Sequence, residues 1–439
     1  MKNLLSLATL WMLCSLCCTK QVKEYAPGRE QIIKANRRLL EIAMEDGFSP
    51  PVASRVYVYP YLAFHAVLED FYPDSVQRIC TQVSDFPHPD SSLESKVDGR
   101  LAALMCFEMV AKLMVFSEPL ASEMLQKTVA EAASNGCDPS VIDACTRYAE
   151  AYGNKISAWI KLDQYAYTRT LERYTSNKKP ESWRETPPDY TPGLEPHWRK
   201  IRKIILDSTD IYACTPLPPF SVDKTSDFYQ LANEVYSQVL DSSKIKTAWY
   251  WDDNPNVSRH NGHLTTIIHK ISPPGHWLNI TAQLCQANKT SLWITSDALT
   301  LTAIAMFNGI IDCWDMKYQF NTVRPVSYIN ENISQDWQPL IQTPPFPEFT
   351  SGHSVVSAAA AEVLSQIFGN QCHFTDSTEV LFGHPPRNFT SFHEAAMEVS
   401  LSRFYGGIHY RHSVLEGNKQ GTYIARQLMK KIQFKSLSQ

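Results

Sequence analysis

Glycine is scarce in this sequence, and so are the runs of alternating polar and apolar residues that are typical of strands. Only 16 of the 439 residues are glycine, and few segments have a hydrophobic period of two. Both scarcities argue against a β-rich fold. Hydrophobic residues make up 44% of the chain, which is ample for a large core. We therefore expect an all-α protein made of two packed helical bundles.

An excess of positive charge is missing as well. The formal net charge is -4, so the composition argues against nucleic acid as a partner. Binding of a small anion must then rest on a local cluster of basic residues. We expect the partner to be a small-molecule substrate.

Closely spaced cysteine pairs of the CxxC type are absent among the cysteines that follow the first 18 residues. The spacing therefore predicts no zinc site and no disulfide framework. Cys137 and Cys145 are the candidates for a single disulfide, and most other cysteines are expected to be buried thiols.

The first 18 residues have the pattern of a signal peptide. A short basic start precedes an apolar run from Leu4 to Leu16, and Cys17 and Cys18 come just before a polar stretch. We expect an exported lipoprotein, periplasmic or anchored to the outer membrane, with one of these two cysteines lipidated. Ordinary secretion is the alternative. No later stretch is expected to cross a membrane.

Three further segments are predicted along the chain. Residues 25–180 form a helical scaffold, because apolar residues recur there at intervals of three and four. Residues 181–225 are rich in proline, which interrupts helices, and form an ordered connector. Residues 226–439 form a second helical bundle with the candidate site. The scaffold helices are predicted at Gln31–Asp46, Pro51–Phe71, Ser95–Phe116, Pro119–Ser134 and Val141–Ala151.

A lysine and an arginine seven residues apart form the first part of that site. Lys317 lies within a strong helical pattern that runs from Asp297 to about Thr322, and Arg324 comes just after it. The spacing predicts that both cations lie on one helix face, with Trp314 one turn earlier, and that Pro325 ends the helix. Two cations on one rigid element suit an anion with several oxygens.

Two histidine-containing segments complete the site. Ser351, Gly352 and His353 precede a clear helical pattern, and free N–H groups at a helix N-terminus attract negative charge. Serine adds a donor, glycine permits close approach, and histidine transfers protons. Arg403 and His409 flank a Gly-Gly break between two helices, so they are expected to converge on one ligand.

Together these segments resemble the superfamily of type 2 phosphatidic acid phosphatases, bacterial acid phosphatases and vanadium-dependent haloperoxidases. The family signature is K-x6-R-P, then P-S-G-H, then S-R-x5-H. It corresponds here to Lys317-x6-Arg324-Pro325, Thr350-Ser351-Gly352-His353 and Ser402-Arg403-x5-His409. The chain is most similar to the haloperoxidase branch, in which Trp314 and Phe346 match aromatic residues near the site.

The resemblance implies a role for each residue. Lys317, Arg324, Ser351, Gly352 and Arg403 would bind the oxygens of the anion. In a haloperoxidase, His409 would anchor a vanadate cofactor that activates hydrogen peroxide for oxidation of a halide, and His353 would handle protons. In a phosphatase, which needs no cofactor, His409 would attack phosphorus and His353 would protonate the leaving group of a phosphomonoester or lipid phosphate.

The sequence departs from the family pattern at two positions. Thr350 replaces the proline before Ser-Gly-His, and Ser413 replaces an aspartate four residues after the last histidine. We expect Glu416 to take over the role of that aspartate. The resemblance also implies that the Asp252 carboxylate pairs with Arg403. His276 is expected to be structural, and no separate metal site is predicted.

Overall fold

The computed structural model describes residues 25–89 and 96–435. The predicted signal peptide and the candidate lipidated cysteines lie outside the described residues. Helices dominate the part of the chain that is described, which confirms the all-α prediction. They are α1 (Arg29–Glu45), α2 (Pro50–Phe71), α3 (Gly99–Met114), α4 (Glu118–Ser134), α5 (Pro139–Ile160), α6 (Tyr165–Thr168), α7 (Asp227–Ser237), α8 (Ser242–Tyr250), α9 (Pro273–Ala287), α10 (Leu292–Phe320), α11 (Pro325–Asn332), α12 (Gly352–Phe368), α13 (Phe392–Tyr405) and α14 (Arg411–Lys431).

Two small antiparallel hairpins supplement the helices. Strand β1 (Asn256–Asn261) pairs with β2 (Leu264–His269), and β3 (Phe374–Asp376) pairs with β4 (Arg387–Phe389). The first hairpin is largely exposed. It connects α8 to α9 beside the candidate site.

Serine or aspartate precedes many of the helices and caps the first turn. A side-chain oxygen of each accepts a backbone N–H that has no partner within the helix. The starts of α3, α5, α7, α8, α10, α12 and α13 are capped in this way by Asp98, Asp138, Ser226, Asp241, Ser291, Ser351 and Ser391. Local sequence thus sets these helix starts, including the start of α12 in the candidate site.

Helix α10 lies at the centre of the core and joins the two bundles. It packs against α2 of the first bundle, which also contains α1 and α3–α5, and against α12 and α14 of the second. By length and composition α10 could cross a membrane, contrary to the sequence expectation, but 94% of its most apolar window is buried inside the molecule. Its central position in the core accounts for its apolar composition.

Helices α12 and α14 pack closely because α14 contains glycine at the contact. A Cβ on Gly421 would lie 2.1 Å from the backbone oxygen of Val355, and one on Gly417 would lie 2.8 Å from that of Ser351. Side chains at these positions would separate the helices. The two glycines therefore fix the distance between α14 and the N-terminus of α12.

The proline-rich connector is ordered and packs beside the candidate site. Trp183 and Trp198 are completely buried. The Trp183 N–H donates to the Asn321 carbonyl at 2.8 Å, and the Leu194 N–H donates to the Pro345 carbonyl at 2.9 Å. These bonds attach the connector to the loops that follow α10 and precede α12.

No disulfide joins the cysteines in the described residues. The possible disulfide between Cys137 and Cys145 is therefore not formed. Cys80, Cys106, Cys145, Cys285 and Cys313 are buried, as expected for small apolar side chains, whereas Cys137, Cys214 and Cys372 are partly exposed.

Candidate active site

The three predicted segments meet at one cavity of about 280 Å³. It lies between the second bundle, the connector and the β1–β2 hairpin. Of the residues predicted from the sequence, those that line the cavity are Trp314, Phe346, Gly352, His353, Arg403 and His409. Lys317, Arg324 and Ser351 are fully buried directly behind them.

Arg324 does not belong to the helix that carries Lys317, contrary to the sequence expectation. Helix α10 ends at Phe320, where Asn321 adopts a left-handed conformation with φ of 49°. Arg324 is the N-cap residue of α11, and Pro325 begins that helix. The two cations still converge because the loop between the helices turns Arg324 back towards the site.

The Arg324 guanidinium is held by several hydrogen bonds, and one of its donor groups has no partner. Its Nε donates to the Phe346 carbonyl at 2.9 Å, and its Nη1 donates to the Ile408 carbonyl at 2.8 Å and lies 3.1 Å from Nε2 of His409. Its buried Nη2 has no hydrogen-bond partner. A buried donor without a partner is costly and rare, so Nη2 has the character of a ligand-binding group.

Arg403 is bound by backbone carbonyls, which corrects the predicted pairing with the Asp252 carboxylate. Its Nη1 donates to the carbonyls of Trp251 at 2.6 Å and Asp252 at 3.1 Å. The Asp252 carboxylate instead pairs with Lys270 at 3.1 Å. The buried Nε of Arg403 has no partner, so this side chain too offers a free donor.

Lys317 occupies the predicted position, but its ammonium group is already fully bonded. Nζ donates to the carbonyls of Pro347, Glu348 and Thr350 at 3.0, 3.2 and 2.5 Å. Burial lowers the pKa of Lys317 to about 8. The side chain therefore fixes the loop before α12 and adds positive charge behind the cavity.

The N-terminus of α12 is formed as predicted by Ser351 and Gly352. The Ser351 hydroxyl accepts the Ser354 N–H, and Gly352 is the first residue of the helix. A Cβ on Gly352 would be 3.5 Å or more from its neighbours, so packing alone does not require glycine here. The position lines the cavity, and the missing side chain leaves the helix N-terminus open to an anion.

His409 is oriented by a buried glutamate. Nδ1 of His409 lies 2.7 Å from Oε1 of Glu348, which also accepts the Tyr410 N–H at 3.1 Å. Oε2 of Glu348 accepts the Ser413 hydroxyl at 2.7 Å. Burial raises the pKa of Glu348 to about 7, although the positive charge of Arg324 opposes the rise.

These contacts place the proton on Nδ1 of His409 and the lone pair on Nε2. Burial, followed by the charges of Arg324, Lys317 and Arg403, lowers the pKa of His409 well below its usual value. The imidazole is therefore neutral at pH 7. A neutral Nε2 next to free guanidinium donors suits a bond to the central atom of a tetrahedral anion.

Glu348 is the functional residue that the sequence reasoning missed. Glu416, which was expected to replace the family aspartate, instead accepts the Thr215 N–H and a bond from Lys419. The hydroxyl of Ser413, at the aspartate position, donates to Glu348, and its carbonyl accepts the Ser351 N–H at 3.2 Å. The signal was present in the sequence, since Glu348 is a lone acidic residue in the apolar segment before Ser351.

His353 faces the cavity with a neutral ring. Burial and the charge of Arg403 lower the pKa of His353 well below its usual value. Its Nε2 donates to the Asp252 carbonyl at 3.2 Å, so Nδ1 carries the lone pair. The ring is thus positioned to accept a proton beside the anion site.

Apolar side chains form most of the cavity wall. The rings of Trp314 and Phe346 are 5.0 Å apart, and the Phe346 ring lies 4.9 Å from Nζ of Lys317. At the rim, Asp189 of the connector binds His260 of the hairpin at 2.7 Å, and Gln342 donates to Asp189 at 2.9 Å. The entrance is therefore built from three separate chain segments.

Comparisons with known proteins agree with this architecture. A family model described as the VCPO second helical-bundle domain matches residues 297–436. The chain is similar to the crystal structure of a bacterial vanadium-dependent iodoperoxidase, with 34% identity, a TM-score of 0.85, and coverage of 95% of this chain and 100% of that chain.

A bacterial vanadium-dependent chloroperoxidase in its holo form has the same fold. It is 15% identical with a TM-score of 0.62, and the match covers 89% of this chain and 95% of that chain. None of the curated proteins matches significantly.

Proposed function

The chain belongs to the family of vanadium-dependent haloperoxidases, which are oxidoreductases, and on that premise we propose that it binds vanadate and oxidises a halide with hydrogen peroxide. Iodide is the proposed first substrate, because the similar iodoperoxidase covers almost the whole chain. The observation that carries the proposal is the neutral His409 ring in the cavity wall, with Nε2 at 3.1 Å from Nη1 of Arg324 and with unpartnered N–H groups on Arg324 and Arg403.

The residues of the site fit vanadate. Arg324 and Arg403 each have a buried N–H group without a partner in the protein, and oxygens of the anion would accept from them. The N-terminus of α12, with the Ser351 hydroxyl and the Gly352 N–H, would bind a further oxygen. Lys317 would balance the negative charge from behind the cavity. His409 would provide the bond to vanadium through Nε2.

Bound vanadate would supply the Lewis acidity that activates hydrogen peroxide towards a halide. The protein contributes orientation and proton transfer. The Glu348 carboxylate favours the His409 proton on Nδ1, so that the Nε2 lone pair would be available to the anion. Nδ1 of His353 is the base that accepts a proton from incoming peroxide. Trp314 and Phe346 restrict the water that reaches the site.

Hydrolysis of phosphoesters through a phosphohistidine is the second candidate function. The same observation supports it, because a neutral Nε2 among cationic donors is also a nucleophile for phosphorus. The apolar walls and the iodoperoxidase relative favour halide oxidation. Vanadate would then be an inhibitor in a phosphatase and a cofactor in a haloperoxidase.

The deciding experiment measures peroxide-dependent oxidation of iodide, and then of bromide, by the full chain before and after incubation with orthovanadate. We expect activity only with vanadate, and its loss in His409→Ala. His412→Ala is the matched control, because His412 is nearby but its Nε2 binds the Thr215 carbonyl instead. Phosphomonoester hydrolysis without halide oxidation, in protein that binds vanadate, would contradict the proposal.

A further inference from the structure

A second cluster of possible metal-binding side chains lies beside the active site. Asp253 follows α8, His276 belongs to α9, and Glu379 lies in a short 3-10 helix at Thr378–Phe382. One potential ligand atom from each lies within 4.8 Å of the other two, and all three residues are buried. Asp253 also lines the active-site cavity, whereas His276 and Glu379 are not among the residues that line it.

The His276 ring is oriented as a metal ligand would be. Its Nε2 lies 2.8 Å from Oδ2 of Asp376, which also accepts the Tyr250 hydroxyl at 2.8 Å. A carboxylate on one ring nitrogen fixes the proton there and directs the lone pair of the other nitrogen towards a metal. That other nitrogen, Nδ1, lies 3.0 and 3.1 Å from the two carboxylate oxygens of Asp253.

Glu379 provides the independent sign of a missing ligand. Only 2% of the residue is exposed, and its Oε1 has no hydrogen-bond partner. This oxygen lies 4.0 Å from Nδ1 of His276. A buried carboxylate oxygen without a partner is costly unless a cation or a donor satisfies it. The nearby Lys270 does not serve this purpose through a direct contact, since it pairs with Asp252.

We propose that Asp253, His276 and Glu379 bind one divalent transition-metal ion of the Zn²⁺ or Mn²⁺ kind. One imidazole nitrogen with two carboxylates is a donor set that these ions accept, whereas Ca²⁺ and Mg²⁺ prefer oxygen ligands alone. Asp376 would be the outer carboxylate that holds the histidine. This assignment departs from the sequence expectation that His276 is only structural.

The ion would stabilise the turn that supports the oxyanion site. Trp251 stacks on the His276 ring with 4.6 Å between the ring centres. The backbone carbonyls of Trp251 and Asp252 bind Arg403, and that of Asp252 also binds His353. A metal held by Asp253 would thus fix the turn at its far end. Its role would be structural, outside the reaction itself.

A second buried histidine with acidic neighbours provides a matched contrast. His65 lies 3.8 Å from Oδ1 of Asp297 and 3.9 Å from Oε2 of Glu69. Its ring nitrogens are bonded to uncharged groups, Nδ1 to the Ser296 hydroxyl at 2.9 Å and Nε2 to the Gln77 carbonyl at 2.8 Å. Both ring nitrogens of His276 face carboxylates instead, so the His65 cluster is the negative control.

The test measures metal binding by the full chain without an affinity tag, after treatment with EDTA. Titration with Zn²⁺ or Mn²⁺ and elemental analysis should give one tightly bound ion for one of the two metals. The Tm of the treated protein should rise when that metal is added. Glu379→Gln should weaken binding at least tenfold and lose the Tm response, while Asp297→Asn should keep both.

The proposal is overturned if the folded wild-type protein binds neither ion stoichiometrically, since protons alone would then satisfy the cluster. Equal loss of binding in Glu379→Gln and Asp297→Asn would overturn it as well. Neither readout uses vanadate, peroxide or halide. Failure of this proposal is therefore distinguishable from failure of the proposed oxidation reaction.

Discussion

Oε1 of Glu348 lies 2.7 Å from Nδ1 of His409, and this buried contact joins residues 61 positions apart in the chain. Glu348 belongs to the loop before α12, whereas His409 follows the Gly-Gly break after α13. The contact favours the tautomer of His409 with the proton on Nδ1 and the lone pair on Nε2, which lies 3.1 Å from Nη1 of Arg324. Glu348 is thus a positioning residue, because it acts on the anion through His409.

Replacement of Glu348 by glutamine should weaken vanadate binding. The amide can still accept from Nδ1, but it has no negative charge and can also donate to that nitrogen, so the orientation is less well defined. We expect a 10- to 100-fold loss of vanadate affinity, measured by titration of the purified protein. Ser413→Ala removes only one donor to Glu348 and should have a smaller effect. Equal affinity in Glu348→Gln and wild type would contradict the role.

The backbone support of Arg403 leads to a second prediction. Because carbonyls rather than the Asp252 carboxylate hold its guanidinium, Asp252→Asn should change vanadate affinity by less than about threefold. Arg403→Ala removes a donor to the anion and should lower kcat by ~10²-fold. Both variants are compared in the vanadate titration and the iodide assay. A large loss of vanadate affinity in Asp252→Asn would instead support the pairing of the Asp252 carboxylate with Arg403 that the sequence suggested.

Close packing of α12 and α14 predicts a large effect of a small substitution. In Gly421→Ala the new Cβ would meet the backbone oxygen of Val355 at 2.1 Å, so the helices must separate. We expect a loss of ~1–3 kcal/mol in the free energy of unfolding. Gly153→Ala is the control, since a Cβ there meets nothing closer than 3.8 Å. This control should be neutral or stabilising, because alanine favours helix. Chemical denaturation of both variants measures the difference.

A buried glutamate in the first bundle predicts a pH dependence of stability. Glu108 is 3% exposed and accepts the Thr128 hydroxyl, and burial raises its pKa from 4.5 to about 8. Between about pH 4.5 and pH 8, the folded protein therefore keeps a proton on Glu108 that the unfolded chain releases. The resulting stabilisation is complete below about pH 4.5 and is lost as pH rises towards 8.

Glu108→Gln should remove this part of the pH dependence. One pKa unit corresponds to ~1.4 kcal/mol, so the variant should be more stable than wild type at pH 8 by on the order of a few kcal/mol. The difference should shrink at pH 5. Glu150→Gln, at an exposed position of α5, is the control. Thermal unfolding at both pH values is the measurement. An equal stability difference between wild type and Glu108→Gln at pH 5 and pH 8 would refute the raised pKa of Glu108.

The helices and the grouping of the candidate site residues were predictable from local sequence. Helix periodicity and caps such as Ser351 act within a few residues, and the three short motifs identify Arg324, His353 and His409. The partners of these residues were not predictable in the same way. Glu348 and the carbonyl of Trp251 reach the site through the tertiary fold, so no fixed spacing reveals them. The end of α10 was also misplaced, because Asn321 terminates the helix before the proline.

The rim and the floor of the cavity come from different parts of the chain. Asp189 and His260 close the entrance from the connector and the hairpin, while the anion site is built on the second bundle. Substitutions in the two outer segments would therefore alter access to the cavity without changing Arg324 or His409. The shape of the entrance and the chemistry of the candidate site are thus encoded in different segments, and an engineer could vary the hairpin alone.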